Sequence, residues 1–176
     1  MESNLDDTDR ALLGLLQADA RMPQSALGAR VAVGISFDSD HESGELRDGG
    51  KSLGRMSMGQ YGARAGIPRI MKLLAKHSVP ASFFTPAVVA MLYPDEQKRA
   101  VDLGHEIGIH GWIHELNSIL PGEIERDLMF RSCDTLEKIT GIRPVGIRTP
   151  SWDFSPNTLQ IIRDLGLLYD SSLMAR

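Results

Sequence analysis

Apolar residues recur along the chain in two alternating patterns, short unbroken runs and longer stripes with helical spacing. The runs are rich in β-branched and aromatic residues, which is typical of buried strands; they occupy residues 31–37, 81–85, 106–110, 144–148 and 167–170. The stripes, in which apolar positions recur every three or four residues, predict helices; they occupy residues 64–77, 94–103, 121–140 and 156–165. Regular alternation of strands and helices predicts an α/β fold with a parallel sheet.

Two of these stripes also identify side chains that we expect to face the core. In the first helix they are Ile67, Ile70, Leu73 and Leu74. In the third they are Ile124, Leu128, Leu136 and Ile139.

Two stretches break the alternation. Residues 39–62 hold many glycine, serine and charged residues without an apolar period, which predicts a long loop, and such loops often carry function. Residues 5–18 combine a leucine stripe with early aspartates and predict a helix, and residues 24–29 predict a second short one. We therefore expect a helical N-terminal appendage over residues 1–28 and an α/β domain over residues 29–176.

Ionisable side chains follow three of the predicted strands at their carboxyl ends. Asp38 and Asp40 lie in the string S-F-D-S-D, His110 and His114 in H-G-W-I-H, and Arg148 in R-T-P-S-W. Because the carboxyl ends of parallel strands meet at one edge of a sheet, we expect these side chains to lie close together. Each string alone is weak evidence for a metal site, since acidic loops after strands are usually only solvated. Three such strings in order, each at a strand end, favour a metal site.

The residue types in these strings suit metal-assisted hydrolysis. Asp40, His110 and His114 offer one oxygen and two imidazole nitrogens, a set that suits Zn²⁺, Co²⁺ or another divalent ion. Asp38 is the candidate base for a water proton, because it lies two residues before Asp40 on the same side of an extended chain. Arg148 can hold Asp38 through a bidentate pair.

Composition narrows the class of protein. The formal net charge of −4 argues against a general attraction for nucleic acid. Cys133 is the sole cysteine, which excludes an internal disulfide and a cysteine-rich zinc site, and we expect it to be buried. The first thirty residues lack the pattern of a secretory signal and no run reaches the ~18 apolar residues of a membrane span. We therefore expect a cytoplasmic protein without a membrane partner.

The strings S-F-D-S-D, H-G-W-I-H-E and R-T-P-S-W resemble the first three motifs of the polysaccharide deacetylase family (the NodB-homology domain, carbohydrate esterase family 4). The resemblance covers residues 29–176 and implies a distorted (β/α) barrel with metal-dependent hydrolysis of acetyl groups on glycans. It implies that Asp38 is the catalytic base and that Arg148 orients it. It further implies that Trp152 walls the pocket and that Asp40, His110 and His114 bind the metal.

The D-S-D spacing and the string Q-Y-G-A-R-A-G-I-P-R-I resemble a bacterial subgroup that includes peptidoglycan-deacetylase-like and allantoinase- or imidase-like proteins. Two substrate classes stay open, an acetylated glycan and a small cyclic amide or imide. The expected partners are this substrate and a second copy of the chain.

The family resemblance also implies further β-α units after the third motif, with a histidine that acts as general acid. No histidine follows His114 in this sequence. We therefore expect a truncated domain with an incomplete barrel that binds metal but hydrolyses acetylated glycans poorly. The alternative is a catalytically inactive metal-binding remnant.

Residues 5–31 resemble the start of a leucine-responsive (Lrp/AsnC) helix-turn-helix. Residues 1–30 hold five acids and three bases, which is not the basic footprint of a DNA reader. The deacetylase-like strand also takes the place of the recognition helix. We expect no nucleic-acid partner; the alternative is a fragment of a DNA-binding regulator.

Overall fold

The computed structural model describes residues 33–173, and these residues form an α/β fold around one parallel sheet. The five strands are β1 (Ser36–Asp38), β2 (Ser82–Thr85), β3 (Glu106–Ile109), β4 (Gly146–Ile147) and β5 (Tyr169–Asp170). They lie in the order β1-β2-β3-β4-β5, and every neighbouring pair is parallel. The described strands form an open sheet, which confirms the predicted fold class.

The helices connect successive strands. Between β1 and β2 lie α1 (Ser43–Arg47), α2 (Leu53–Tyr61), a π-helical segment (Gly62–Gly66) and α3 (Ile67–His77). The later connections hold α4 (Ala87–Leu92), α5 (Pro94–Asp102), α6 (Gly122–Thr140) and α7 (Thr158–Asp164). Short 3₁₀ turns at Asn117–Ile119 and Pro150–Trp152 follow β3 and β4.

The hydrophobic core lies between one face of the sheet and these helices. Strand residues Phe83, Ile109 and Ile147 join helix residues such as Met71 and Leu136 in one buried cluster. Cys133 is free and buried in the same cluster, as predicted. Burial of this apolar surface is the main force that fixes the helices against the sheet.

The other face of the sheet carries aromatic rings opposite glycines. Phe84 follows Phe83 on β2 and so points to the opposite face. A Cβ at Gly108 would lie 2.6 Å from the Phe84 ring, and one at Gly146 would lie 2.1 Å from the Tyr169 ring. The Tyr169 hydroxyl donates to Glu106 at 2.9 Å; burial and this contact raise the pKa of Tyr169 to about 12. Two glycines thus make room for two rings.

The prediction of a long loop over residues 39–62 is wrong, because α1 and α2 lie there. Polar contacts stabilise these helices: Ser52 caps α2 by accepting from the Arg55 backbone N–H. Glu45 accepts from the Ser52 backbone N–H at 2.7 Å and lies 2.6 Å from Arg55 Nε. No residue of α2 is buried, so the sequence had no apolar stripe from which to predict the helix.

Several smaller expectations also differ from the structure. Leu73 and Ile124, predicted to face the core, are 58% and 48% exposed. Helix α4 was not predicted, and the first strand begins at Ser36 with Ile35 exposed rather than inside a buried run. The predicted helices at 5–18 and 24–29 lie outside the described residues. The predicted boundary between residues 28 and 29 stays a prediction.

Candidate metal centre

Asp40, His110 and His114 meet at the carboxyl edge of the sheet. Asp40 lies two residues beyond β1, and His110 directly follows β3. One ligand atom from each residue lies within 4.8 Å of the other two. His110 Nε2 is 3.3 Å from Asp40 Oδ1, and His114 Nε2 is 3.5 Å from Asp40 Oδ2. Among residues 33–173 this is the one cluster of three groups able to hold a metal ion.

The orientation of the His110 ring follows from its backbone partner. His110 Nδ1 lies 2.6 Å from the carbonyl oxygen of Arg148. Since a carbonyl only accepts, Nδ1 carries the proton and Nε2 keeps its lone pair on the side of Asp40. A histidine held in this way is the usual arrangement of a metal ligand.

His114 is placed by a tight turn that follows β3. Gly111 and His114 both have left-handed backbones, with φ of 72° and 62°. The Glu115 carboxylate accepts from the backbone N–H groups of Trp112 and Ile113, at 2.9 Å and 2.7 Å. Arg47 Nη1 donates to the carbonyl oxygen of His114 at 2.6 Å. Glu115 and Arg47 therefore fix the backbone of the turn that carries the second imidazole.

The donor set fits a divalent ion. Asp40 Oδ1 is buried and has no hydrogen-bond donor among the described residues, although His110 Nε2 lies 3.3 Å away. Burial opposes ionisation of Asp40, but His110, His114 and His41 outweigh it and lower the pKa of this carboxyl. Burial also lowers the pKa of His114, which favours the neutral imidazole. A carboxylate and two neutral imidazoles are ligands that Zn²⁺ and Co²⁺ accept.

Arg148 lies beside this cluster and contacts Asp38. Its Nη1 donates to Asp38 Oδ1 at 2.6 Å, which is one hydrogen bond and not the predicted bidentate pair. Its Nη2 donates to Ser36 at 2.9 Å and to Ser171 at 2.6 Å, and Nε also donates to Ser171. The guanidinium carbon lies 4.3 Å from the centre of the Phe84 ring. Arg148 is thus held by Ser36 on β1, by Phe84 on β2 and by Ser171 just after β5 while it holds Asp38.

Trp152 lies away from the ligand cluster's cavity. It ends the 3₁₀ turn after β4, with φ of 56° and 63% of its surface exposed. An open cavity of about 270 Å³ beside Asp40 and His114 is lined instead by side chains of α1 and α2, among them Arg47 and Arg55. The role of Trp152 as a pocket wall therefore stays a prediction.

Four contacting residues were missed by the sequence reasoning. They are Ser36, Arg47, Glu115 and Ser171. Serine and surface-type charges have no distinctive spacing, so nothing in the pattern marked them. The side chain of His41 is also buried, at 2% exposure, although the polar stretch of sequence around it gave no sign of burial.

Comparison with known proteins places the chain in a family. The model of the polysaccharide deacetylase family matches residues 58–169, a stretch that contains His110, His114 and Arg148. A peptidoglycan deacetylase of Helicobacter pylori is 33% identical over 150 residues, 84% of this chain and 51% of the relative. A peptidoglycan deacetylase-like protein, FGM2, of Gibberella zeae is 33% identical over 82% of this chain and 44% of its own length.

Two solved structures extend this likeness to the fold. A polysaccharide deacetylase structure from Mycobacterium smegmatis superposes with a TM-score of 0.76 at 35% identity, over 80% of this chain and 50% of that one. The allantoinase Puue superposes with a TM-score of 0.70 at 26% identity, over 78% of this chain and 52% of that one.

The N-terminus gives a separate match. The model of the AsnC-type helix-turn-helix domain matches residues 5–36, most of which lie outside the described residues. The chain as a whole spans about half the length of the curated relatives that it matches. On the extent of the deacetylase match and the identity to these relatives, the chain belongs to the polysaccharide deacetylase family.

Proposed function

We propose that this chain is a metal-dependent hydrolase of carbon–nitrogen bonds that removes acetyl groups from N-acetylated glycans. The observation that carries the proposal is the meeting of Asp40, His110 and His114 beside the Asp38–Arg148 pair. Three ligand side chains and a separate carboxylate are protein parts that metal-dependent hydrolysis uses.

The ligand side chains, Asp38 and Arg148 have different roles in this reaction. Asp40, His110 and His114 would hold the ion, which when bound polarises a carbonyl oxygen and makes water more acidic. Asp38 accepts the proton of the attacking water, because it is a carboxylate that lies outside the ligand cluster. Arg148 fixes the position of the Asp38 carboxylate through their 2.6 Å contact.

Zn²⁺ is the proposed ion. Two imidazole nitrogens favour Zn²⁺ or Co²⁺ over Mg²⁺ and Ca²⁺, which prefer oxygen ligands. The test is elemental analysis of the purified protein, followed by chelation and titration with each of the four ions. Tighter binding of Mg²⁺ than of Zn²⁺ would contradict the assignment.

The substrate proposal rests on the relatives. The two curated relatives compared above are named for peptidoglycan deacetylation, which supports an acetylated amino sugar as the substrate. The experiment measures acetate release from N-acetylglucosamine oligomers by the chelated protein and by the protein reloaded with Zn²⁺. Acetate release that depends on Zn²⁺ supports the proposal, and equal release without the ion contradicts it.

A second candidate substrate is a small cyclic amide or imide. The observation that favours it is the likeness to the allantoinase Puue, which reaches a TM-score of 0.70. Ring opening of allantoin, hydantoin and succinimide is measured under the same conditions as acetate release. Turnover of a cyclic amide without acetate release would favour this candidate.

The cellular location of the chain and its macromolecular partners do not follow from the metal site. No helix among the described residues is both long and apolar enough to cross a membrane. A cytoplasmic location, self-association and a lack of DNA binding are proposals that fractionation, light scattering and mobility shifts test. Sequence-dependent DNA binding that survives ~200 mM salt would contradict the last of them.

A further inference from the structure

We infer that Glu96 on α5 is a positioning residue for the metal ligand Asp40 and acts through the side chain of His41. The inference rests on the proposed metal site. Glu96 touches none of the three ligand side chains; what it contacts is the residue that follows Asp40 in the chain. The contact therefore sets the course of the backbone at the point where the first ligand leaves the sheet.

The contact between His41 and Glu96 is short and buried. His41 Nε2 lies 2.8 Å from Glu96 Oε1, and their side chains are 2% and 11% exposed. Since an ionised carboxylate only accepts, His41 donates this hydrogen bond. A hydrogen bond to a charged group in a buried setting is stronger than one at the surface.

Glu96 is itself held in place from the sheet. The amide nitrogen of Gln97 donates to the same Glu96 oxygen at 3.1 Å. The Thr85 hydroxyl, at the end of β2, donates to the amide oxygen of Gln97 at 3.3 Å. A chain of hydrogen bonds thus runs from β2 through Gln97 and Glu96 to His41.

The backbone of His41 needs such an anchor. Its φ is 45°, in the left-handed region that side chains with a Cβ rarely adopt. The Asp40 carbonyl accepts from the Ser43 backbone N–H at 2.9 Å, so the chain turns sharply there. If the His41 side chain loses its partner, this turn can relax and Asp40 moves relative to His110 and His114.

The other side of the turn is packed against glycines. A Cβ at Gly62 would lie 2.6 Å from His41 Nδ1, and one at Gly59 would lie 2.6 Å from the His41 carbonyl oxygen. Helix α2 and the π-helical segment therefore press directly on the turn. The Tyr93 ring meets His41 edge-on at 5.1 Å, and its hydroxyl donates to Glu42 at 2.7 Å. His41 is enclosed on all these sides, and Glu96 is the partner of its polar edge.

The test compares two substitutions at Glu96. Glu96→Ala removes the acceptor, whereas Glu96→Gln keeps an oxygen in the same place. Zn²⁺ affinity is measured by competition with a chromophoric chelator. We expect Glu96→Ala to weaken Zn²⁺ binding about 10–100-fold, the usual effect of losing a partner behind a metal ligand. The Zn²⁺ affinity of Glu96→Gln should stay within about threefold of the wild-type affinity, because the acceptor oxygen is kept.

Asp95→Ala is the matched control, because Asp95 lies in the same first turn of α5 but is exposed. It removes the same charge and should leave Zn²⁺ affinity unchanged. His41→Asn is the second variant, because asparagine tolerates a left-handed backbone but is too short to reach Glu96. It should weaken Zn²⁺ binding about as much as Glu96→Ala does. It also keeps the inference testable if the Glu96→Ala protein does not fold.

The outcomes separate this inference from the proposed function. A wild-type chain that binds no Zn²⁺ would contradict both. Wild-type affinity in a folded Glu96→Ala or His41→Asn protein would overturn the positioning role alone. Equal weakening by Glu96→Gln and Glu96→Ala would also overturn it, because the acceptor oxygen would then not matter. Weak binding by Glu96→Ala and His41→Asn with rescue by Glu96→Gln supports it.

Discussion

The guanidinium of Arg148, directly after β4, lies 2.6 Å from the carboxylate of Asp38, the last residue of β1. Two strands separate β1 from β4 in the sheet, so the contact requires the sheet to curl towards a barrel. The same guanidinium reaches Ser171 beyond β5. One side chain therefore joins both edge strands of an open sheet at the proposed catalytic edge.

The metal ligands give the first prediction. His110→Ala and His114→Ala should each weaken Zn²⁺ binding by more than the ~10–100-fold typical of outer partners, because a three-ligand site loses a direct bond. Isothermal titration calorimetry of each variant measures the loss. His77→Ala is the control, since His77 is exposed at the end of α3. Wild-type Zn²⁺ content in either ligand variant would refute the site.

Asp38 and Arg148 give the second prediction, which assumes the proposed function. Asp38→Asn should lower kcat about 10²–10⁴-fold, the usual effect of losing a general base, with Zn²⁺ affinity unchanged. Arg148→Lys should also lower kcat, since one ammonium cannot reach Asp38, Ser36 and Ser171 together. Acetate release is the measurement, with Arg143→Lys at an exposed arginine as the control. Loss of Zn²⁺ from Asp38→Asn would instead make Asp38 a ligand.

His105 gives a prediction about acid stability. Burial lowers its pKa from the ordinary 6.5, and neither ring nitrogen has a hydrogen-bond partner among the described residues. Below pH 6.5 His105 binds a proton in the unfolded chain, whereas in the folded chain it stays neutral down to its lower pKa. Stability is therefore lost as the pH falls from 6.5 to the lower folded pKa.

His105→Leu should remove this loss and raise the free energy of unfolding by about 1 kcal/mol at pH 7, because two unpaired polar atoms are removed. Urea unfolding of the metal-free protein between pH 7.5 and pH 5 checks both effects. The exposed His77→Gln should behave as the wild type. An unchanged pH slope in His105→Leu would show that His105 does not cause the acid loss.

The glycines under the aromatic rings give the fourth prediction. Gly146→Ala should destabilise the fold by about 1–3 kcal/mol, as overpacking usually does, since its Cβ would meet the Tyr169 ring. The double variant Gly146→Ala/Tyr169→Ala should lose less unfolding free energy than the two single variants lose in sum. Thermal unfolding measures each value. Gly54→Ala is the control, because the nearest atom to its Cβ, Ser52 Oγ, is 4.0 Å away. If the stability losses of Gly146→Ala and Tyr169→Ala simply add in the double variant, the contact between the two positions is contradicted.

The sequence predicted the parallel sheet because its strands are unbroken apolar runs, a signal that depends only on local residues. Asp40, His110 and His114 could be singled out because they lie near the ends of predicted parallel strands and because their side chains suit a metal ion. Helices α1 and α2 could not be predicted, since polar contacts such as Glu45 to Arg55 stabilise them. The contacts of Arg148 with Ser36 and Ser171 depend on the curl of the sheet, which no local pattern records.

The distance along the chain between Asp38 and Arg148 has a consequence during synthesis. Arg148 follows Asp38 by 110 residues, which a ribosome adds over a time on the order of 10 s. For that interval Asp38 has been made while the arginine that holds it has not. Contacts between such distant residues form late in folding, because closing long loops costs entropy that only the finished structure repays. We therefore expect the Asp38 carboxylate to be oriented only once β4, which directly precedes Arg148, has joined the sheet.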